Sequence, residues 1–147
     1  MARRIGMRRM GQGAIGVALA TAVLGLAVPG MAGNVPVETS VLGQSKVTLH
    51  VYPFLDSTEL ATLRLVMTNA QALALFLPKG ASTGFAAIAV APAEGFIRSG
   101  KPVPSAAALG GLPDAKTAAA EATRACDAHR KPGGAACVVV LEVAPKG

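Results

Sequence analysis

The pattern of apolar and polar positions predicts strands and helices in alternation after residue 44. Residues 45–54 alternate valine or leucine with polar side chains, which predicts a half-buried strand. Residues 57–68 instead repeat their apolar positions at helical spacing. Residues 71–77 fit either a continuation of this helix or a short strand, since a short apolar run is compatible with both. We favour the continued helix.

Acidic residues mark where the predicted helices begin. Asp56 precedes the first helix and Glu59 follows three residues later, which is the spacing of a capping box. Asp114 stands at the same place before a second helix, which is rich in alanine and covers residues 115–128. We therefore expect these carboxylates to act as caps, and no pair of them stands out as catalytic acid and base.

The remaining apolar runs predict further strands. Residues 85–91 form an apolar run of small side chains, and a Pro-Ala-Glu-Gly turn leads to residues 96–98, which predicts a hairpin. Residues 99–113 are rich in glycine, proline, serine and alanine and predict a long connector. Residues 138–141 are continuously apolar, as in a strand buried within a sheet.

The predicted order is strand, helix, strand, strand, helix, strand. This split βαβ (ferredoxin-like) order predicts an α+β fold, a two-layer sandwich with a mostly antiparallel sheet and two helices on one face. We expect a single domain over residues 45–147. A flexible lead-in over residues 33–44 is expected to precede it, because that stretch mixes proline, glycine and small polar residues without a helical period.

The first 32 residues have the composition of a secretory signal peptide. Four arginines and no acid precede an uncharged apolar run, which ends at small residues before Ala32. The run is shorter than the about 20 residues that a spanning helix needs, so cleavage after Ala32 is favoured over a retained membrane anchor. We expect a periplasmic or secreted protein, in contact with a membrane only if this segment stays uncleaved.

Export changes how the charge is interpreted. The chain has a formal net charge of +6, but four of its 14 basic residues lie in the predicted signal peptide. The rest is mildly basic and poor in aromatic residues, which argues against nucleic acid as a partner. Four cations could form a weakly basic patch that binds anionic envelope polymers: Arg98, Lys101, Arg130 and Lys131. An ordinary solvated surface explains these residues equally well.

The two cysteines, Cys126 and Cys137, have ten residues between them. An even number of cysteines in an exported chain favours a disulfide, which stabilises a loop of this size by about 2–3 kcal/mol. The alternative is a metal- or redox-responsive site of Cys126, His129 and Cys137. A structural zinc site normally has four ligands, with its cysteines in paired spacings, so the disulfide is favoured and no cofactor is expected.

Hydrolase chemistry has two weak candidates. Residues 80–84 match the G-x-S-x-G nucleophile elbow, with Ser82 as nucleophile, but the elbow needs a helix after it and here a strand is predicted. His50 is expected to be an exposed residue of the first strand, because it lies on the face opposite Leu49 and Val51. A general base would need a carboxylate or nucleophile within hydrogen-bond reach, and the sequence names none. His129 is expected to interact with the dipole at the end of the second helix.

Three stretches together resemble a group of exported proteobacterial domains of uncharacterised function. They are residues 84–95, with an Ala-Ile-Ala strand before a proline; residues 114–126, an alanine-rich helix ending in cysteine; and residues 137–143, a cysteine opening a valine-rich strand. Some similar chains carry the label 5-aminolevulinate synthase, but that enzyme needs a large fold around pyridoxal phosphate. The resemblance covers residues 46–147 and implies export and the disulfide, but no catalytic residue.

The sequence thus favours a small exported module that is not an enzyme and that interacts with an envelope protein or a cell-wall polymer. Binding of peptidoglycan by other small split βαβ domains supports this by analogy of fold alone. A small periplasmic hydrolase, or a metal- or redox-responsive domain, remains the alternative.

Overall fold

The computed structural model describes residues 33–77 and 83–147. Within these ranges the chain forms three helices, a main sheet of five strands and a separate two-stranded hairpin, which confirms the predicted α+β class. In chain order the elements are β1 (Val37–Leu42), β2 (Ser45–His50), α1 (Ser57–Thr68), α2 (Ala70–Phe76), β3 (Phe85–Val90), β4 (Ile97–Arg98), β5 (Lys101–Pro102), β6 (Ala107–Leu112), α3 (Ala115–His129) and β7 (Val138–Pro145).

The main sheet has the strand order β1-β2-β7-β3-β6, and each neighbouring pair in it is antiparallel. β7 comes last in chain order but lies at the centre of the sheet, which fits its continuous apolar sequence. β1 and β6 are the two edge strands. β4 pairs with β5, so the predicted hairpin between residues 85–91 and 96–98 is wrong.

The two faces of the sheet are covered by different helices. Ala86, Ile88 and Val90 of β3 belong to an apolar core with residues of α1 and α2. Ala87 and Ala89, which alternate with them and therefore point the other way, pack with residues of α3. The placement of both predicted helices on one face is thus corrected: α3 lies on the opposite face, because β3 is apolar on both of its sides.

The interface between α3 and the sheet is built from small side chains. Ala118, Ala122 and Cys126 are buried on the inner side of α3, and Ala87 and Ala89 face them from β3. Contacts between alanine side chains allow a helix to approach a sheet closely. A disulfide between Cys126 and Cys137, with their Cα atoms 6.1 Å apart, fastens the end of α3 to the start of β7 and confirms the predicted pairing.

Several stretches differ from their predicted conformation or extent, and β5 is one of them, since it lies in the predicted connector. Residues 37–42, predicted as part of a flexible lead-in, form β1, and residues 107–112, predicted as part of a connector, form β6. Residues 71–77 are helical up to Phe76, as favoured, but they do not continue α1. Asn69 has an extended backbone, and its side chain accepts a hydrogen bond from the Ala72 N–H, so it begins a second helix.

No helix in the described ranges is long and apolar enough to cross a membrane. The predicted signal peptide, residues 1–32, lies outside the described residues, as does Ser82 of the G-x-S-x-G pattern.

Candidate functional site

A cleft of about 650 Å³ lies between residues 91–104 and the end of α3 with the turn that follows it, residues 129–135; we call it the α3 cleft. Three of the four cations predicted as a patch line it: Arg98, Arg130 and Lys131. Lys101 belongs to β5 and is not among the lining residues. The fold therefore brings three of these residues together around one concavity and leaves the fourth outside it.

The first wall of the α3 cleft is held by the buried carboxylate of Glu59. Glu59 lies in the first turn of α1, and its side chain is fully buried. Its Oε1 accepts hydrogen bonds from the backbone N–H groups of Phe96 and Ile97, at 2.6 and 3.0 Å. Arg98 Nη1 donates to the same oxygen at 2.5 Å. The segment that carries Arg98 is therefore fixed to the start of α1.

Glu59 also completes the predicted capping box. Its Oε2 accepts from the Asp56 N–H at 3.0 Å, and Asp56 Oδ1 accepts from the Glu59 N–H at 2.8 Å. Burial by itself raises the pKa of Glu59, but three backbone N–H groups and the Arg98 guanidinium outweigh it, so the pKa is lowered. Glu59 is thus an anion at neutral pH, with each oxygen hydrogen-bonded.

The second wall is held by contacts at the end of α3. Asp127 Oδ1 accepts hydrogen bonds from the Cys137 N–H at 3.0 Å and from Arg130 Nε at 2.6 Å, and these bonds lower the pKa of Asp127. Arg130 Nη1 also donates to the Gly134 carbonyl oxygen at 2.8 Å. Together with the disulfide between Cys126 and Cys137, these bonds hold the turn between α3 and β7 in place.

The two arginines bring less free positive charge to the cleft than the sequence alone implies. Arg98 is paired with Glu59 and lies 3.8 Å from Asp56 Oδ2, and Arg130 is paired with Asp127. Lys131 is different, because its ammonium forms no ion pair with any described residue.

Glu94 completes the charged lining of the cleft. Its Oε2 accepts from the backbone N–H of Lys131 at 3.0 Å, which ties residues 91–104 to the turn after α3. The Glu94 carboxylate therefore lies beside the backbone of Lys131, whose ammonium is in no ion pair with a described residue. The cleft presents one cation and one anion to a ligand rather than a continuous cationic surface.

His129 adds an imidazole ring to the lining of the cleft. Its Nδ1 lies 2.9 Å from the Ala125 carbonyl oxygen, so Nδ1 carries the proton and donates. In the neutral ring, Nε2 is then a hydrogen-bond acceptor. His129 lies in the last turn of α3, where the helix dipole favours a positive charge.

The predicted metal alternative is not supported by the positions of its ligands. Both sulfur atoms of Cys126 and Cys137 are consumed in the disulfide, which leaves His129 without them as co-ligands. Within residues 33–77 and 83–147, no group of three or more histidine, cysteine, aspartate or glutamate residues is placed to hold a metal ion.

His50 has a carboxylate partner that its neighbours in the sequence do not reveal. His50 Nε2 lies 2.7 Å from Glu142 Oε2, and the His50 side chain is only 25% exposed, so its prediction as an exposed residue without a partner is wrong. The two residues are 92 positions apart. The antiparallel pairing of β2 with β7, in which Thr48 is opposite Glu142, brings them onto one face of the sheet.

The part of the G-x-S-x-G pattern that is described leads directly into a strand. Gly84 has a φ of 82°, and β3 begins at Phe85. A Cβ atom on Gly84 would lie 2.8 Å from the Leu112 carbonyl oxygen, so glycine is needed where β3 approaches β6. A strand follows the pattern, as predicted, where a nucleophile elbow has a helix.

No protein-family model matches this chain, and no curated protein and no solved structure matches it.

Proposed function

We propose that the protein is an exported binding module of the bacterial envelope and that the α3 cleft is its binding site. The observation that carries this proposal is that both walls of the cleft are fixed in advance, one by Glu59 and the other by Asp127 and the disulfide. A site whose walls are already ordered loses little conformational entropy when a ligand binds.

The charges of the cleft point to a ligand that carries both an amine and a carboxylate. The Lys131 ammonium suits a carboxylate, and the Glu94 carboxylate suits an amine. Ala91, Val103 and Pro104 are apolar residues of the same lining. Cell-wall polymers with peptide branches have this chemistry, since the branches end in carboxylates and amines on short aliphatic side chains.

The proposed location is supported by the sequence and by the disulfide together. The basic and apolar pattern of residues 1–32 is that of a signal peptide, and protein disulfides persist mainly in oxidising compartments. We include in this proposal that the mature domain is periplasmic and belongs to the group of exported proteobacterial domains that it resembles.

Co-sedimentation with purified cell-wall sacculi tests the binding proposal, with an unrelated periplasmic protein as background. Lys131→Glu reverses the charge of a cleft residue, and Lys101→Glu makes the same change at an exposed position outside the cleft lining. We expect Lys131→Glu to weaken binding about tenfold, which corresponds to about 1.4 kcal/mol, and Lys101→Glu to leave it near the wild-type level.

Two results would contradict the proposed site. Equal losses in both lysine variants would mean that sacculi bind through general surface charge. Recovery of the wild-type protein at the level of the background protein would end the envelope-binding proposal altogether.

A second candidate function is hydrolysis with His50 as general base. The observation in its favour is the contact between His50 and Glu142, because a carboxylate that orients a histidine is a recurring part of hydrolytic sites. A panel of ester and amide substrates would be screened with the wild-type protein and with His50→Ala, Glu142→Gln and Ser82→Ala. An activity that survives His50→Ala, or no activity on the panel, removes this candidate.

A further inference from the structure

The edge strand β1 has few of the features that usually keep a sheet edge from pairing. Natural edge strands are protected by charged side chains, above all lysine, by proline, by bulges, by short length or by a covering segment. β1 pairs with β2 over six consecutive residues without a register shift, and Val37–Leu42 contains neither lysine nor proline. At the other edge, the pairing of β6 with β3 is interrupted by a register shift, and β6 contains Gly110 and Gly111.

β1 is also held firmly from behind. The carboxylate of Glu38 forms an ion pair with Arg64 of α1, with Glu38 Oε1 2.6 Å from Arg64 Nη2. The Ser40 hydroxyl donates to the Met67 carbonyl oxygen. The single charged side chain of β1 is therefore engaged by the helix behind the strand, and the strand is ordered before any partner arrives.

The hydrogen-bond pattern shows which backbone groups of β1 are available. A two-residue turn joins Leu42 to Ser45, so these residues form a hydrogen-bonded pair, and the Val51 N–H donates to the Pro36 carbonyl oxygen at 2.8 Å. The even-numbered residues of β1 therefore bond to β2. The odd-numbered residues direct their N–H and C=O groups away from the sheet; these are Val37, Thr39 and Val41.

The same three residues place their side chains on the face of the sheet opposite α1. Val37 and Val41 are 55% and 54% exposed, which is unusual for two valines on one strand. Val37 precedes Thr39 by two residues, and Val41 follows it by two. The backbone groups of β1 that bond to no described strand and its exposed apolar side chains are thus arranged symmetrically about one residue.

From this symmetry we infer that β1 pairs with β1 of a second copy of the chain, antiparallel, with Thr39 opposite Thr39 on the two-fold axis. In this register, Val37 of each copy lies opposite Val41 of the second copy. All three odd-numbered residues then form hydrogen-bonded pairs, each of which exchanges two bonds. The contact is isologous and closes on itself, so a dimer and not a fibre results.

The neighbouring registers are less favourable. A two-fold axis at Glu38 would place two carboxylates directly opposite each other, which is destabilising, and would set Pro36 against Ser40. An axis at Ser40 would place Val37 opposite Gly43 of the turn and lose the valine contacts. With Thr39 on the axis, Glu38 faces the neutral Ser40 of the second copy.

Cysteine cross-linking tests this register directly. Opposed residues of a hydrogen-bonded pair have Cα atoms about 5.5 Å apart, within the range of a disulfide. Thr39→Cys should therefore form a covalent dimer under mild oxidation. Thr48→Cys is the matched control, because Thr48 lies opposite Thr39 within the hairpin. In the dimer, Thr48 of one copy would be three strand spacings, or about 14 Å, from Thr48 of the second copy, too far for a disulfide. Cys126 and Cys137 are already paired and do not compete.

The oligomeric state gives an independent test. It is measured by light scattering and analytical sedimentation of the protein purified in the form that the cell produces. We expect a dimer, with dimerisation at least about tenfold weaker in the double variant Val37→Lys, Val41→Lys, because lysine protects edge strands. Leu75→Lys is the control, since Leu75 is exposed but lies on α2. Three results would overturn the inference. The wild type could be a monomer at every concentration, the double variant could dimerise as strongly as the wild type, or the Thr39→Cys and Thr48→Cys variants could cross-link equally. None of these results bears on the ligand of the α3 cleft.

Discussion

The Glu59 carboxylate accepts a hydrogen bond from the backbone N–H of Phe96, 37 residues later in the chain, at 2.6 Å. The same side chain closes the capping box at the start of α1 through its other oxygen. One buried acid thus begins a helix and also fixes the loop that carries Arg98 into the α3 cleft. The geometry of the cleft depends on the ionised state of this residue.

Glu59→Gln should lower the free energy of unfolding by about 2–4 kcal/mol. The glutamine NH₂ group cannot accept a hydrogen bond, and Arg98 loses its buried counter-ion. Chemical denaturation measures the loss. Glu121→Gln is the control, because Glu121 forms an exposed pair with Arg124 on α3 and should change stability by less than about 1 kcal/mol. Equal effects of the two substitutions would contradict the role given to Glu59.

The lowered pKa of Glu59 also predicts a pH dependence. In the unfolded chain a glutamate has a pKa of about 4.3, and in the folded protein the pKa of Glu59 is lower. Its contribution to stability is therefore complete above about pH 4.3 and is lost as the pH falls through the folded value. Denaturation curves between neutral and acidic pH should show a steeper loss for the wild type than for Glu59→Gln. Parallel curves would show that Glu59 does not contribute.

Gly95→Ala should destabilise the protein more than Gly100→Ala does. Both glycines have a positive φ, 75° and 73°, so both substitutions introduce backbone strain of about 1–2 kcal/mol. A Cβ atom on Gly95 would also collide with the Glu59 carboxylate and the Arg98 guanidinium, whereas nothing lies near that of Gly100. We expect at least about 1 kcal/mol of additional loss for Gly95→Ala. Thermal unfolding of the two variants compares them directly.

Replacement of Cys126 and Cys137 by alanine should lower the free energy of unfolding by about 3 kcal/mol, because the unfolded chain regains the entropy of the loop between them. Reduction of the wild type should reproduce this loss. The double variant itself should be insensitive to reductant. A wild-type unfolding transition that does not move on complete reduction would argue against a stabilising disulfide.

Ala122→Leu should cost about 1–3 kcal/mol, since Ala122 is fully buried between α3 and the alanine face of β3. Ala120→Leu places the same side chain on the exposed side of the same helix and should change stability by no more than about 0.5 kcal/mol. Urea denaturation of both variants measures the difference. A tolerated leucine at position 122 would mean that the helix does not lie as close to the sheet as described.

The helices could be predicted well because their signals are local. Asp56 and Glu59 fixed the start of α1, and its observed end at Thr68 matches the end of the apolar period. The edge strands were harder. β1 has alternating residues, but Pro36 and Gly43 flank it, and β6 contains two glycines, so both resembled loops. Their strand character comes from pairing with β2 and β3, which the local sequence does not show.

The layers and the site depend on contacts that are distant in sequence. The apolar residues on both sides of β3 were a signal that both faces of the sheet are covered, and this signal was missed. Glu59 was recognised as a cap, but its bond to Phe96 depends on the path of the chain after β3. The contact of His50 with Glu142 requires the register of β2 on β7, which periodicity does not give.

The central position of β7 has a consequence for biogenesis. β2 and β3 each pair with β7 and not with each other, so the two halves of the sheet remain separate until residues 138–145 arrive. Contacts between segments so distant in sequence form slowly. In the export that we propose, a sheet that closes only when its last strand arrives would leave the chain extended enough to pass through a translocation channel.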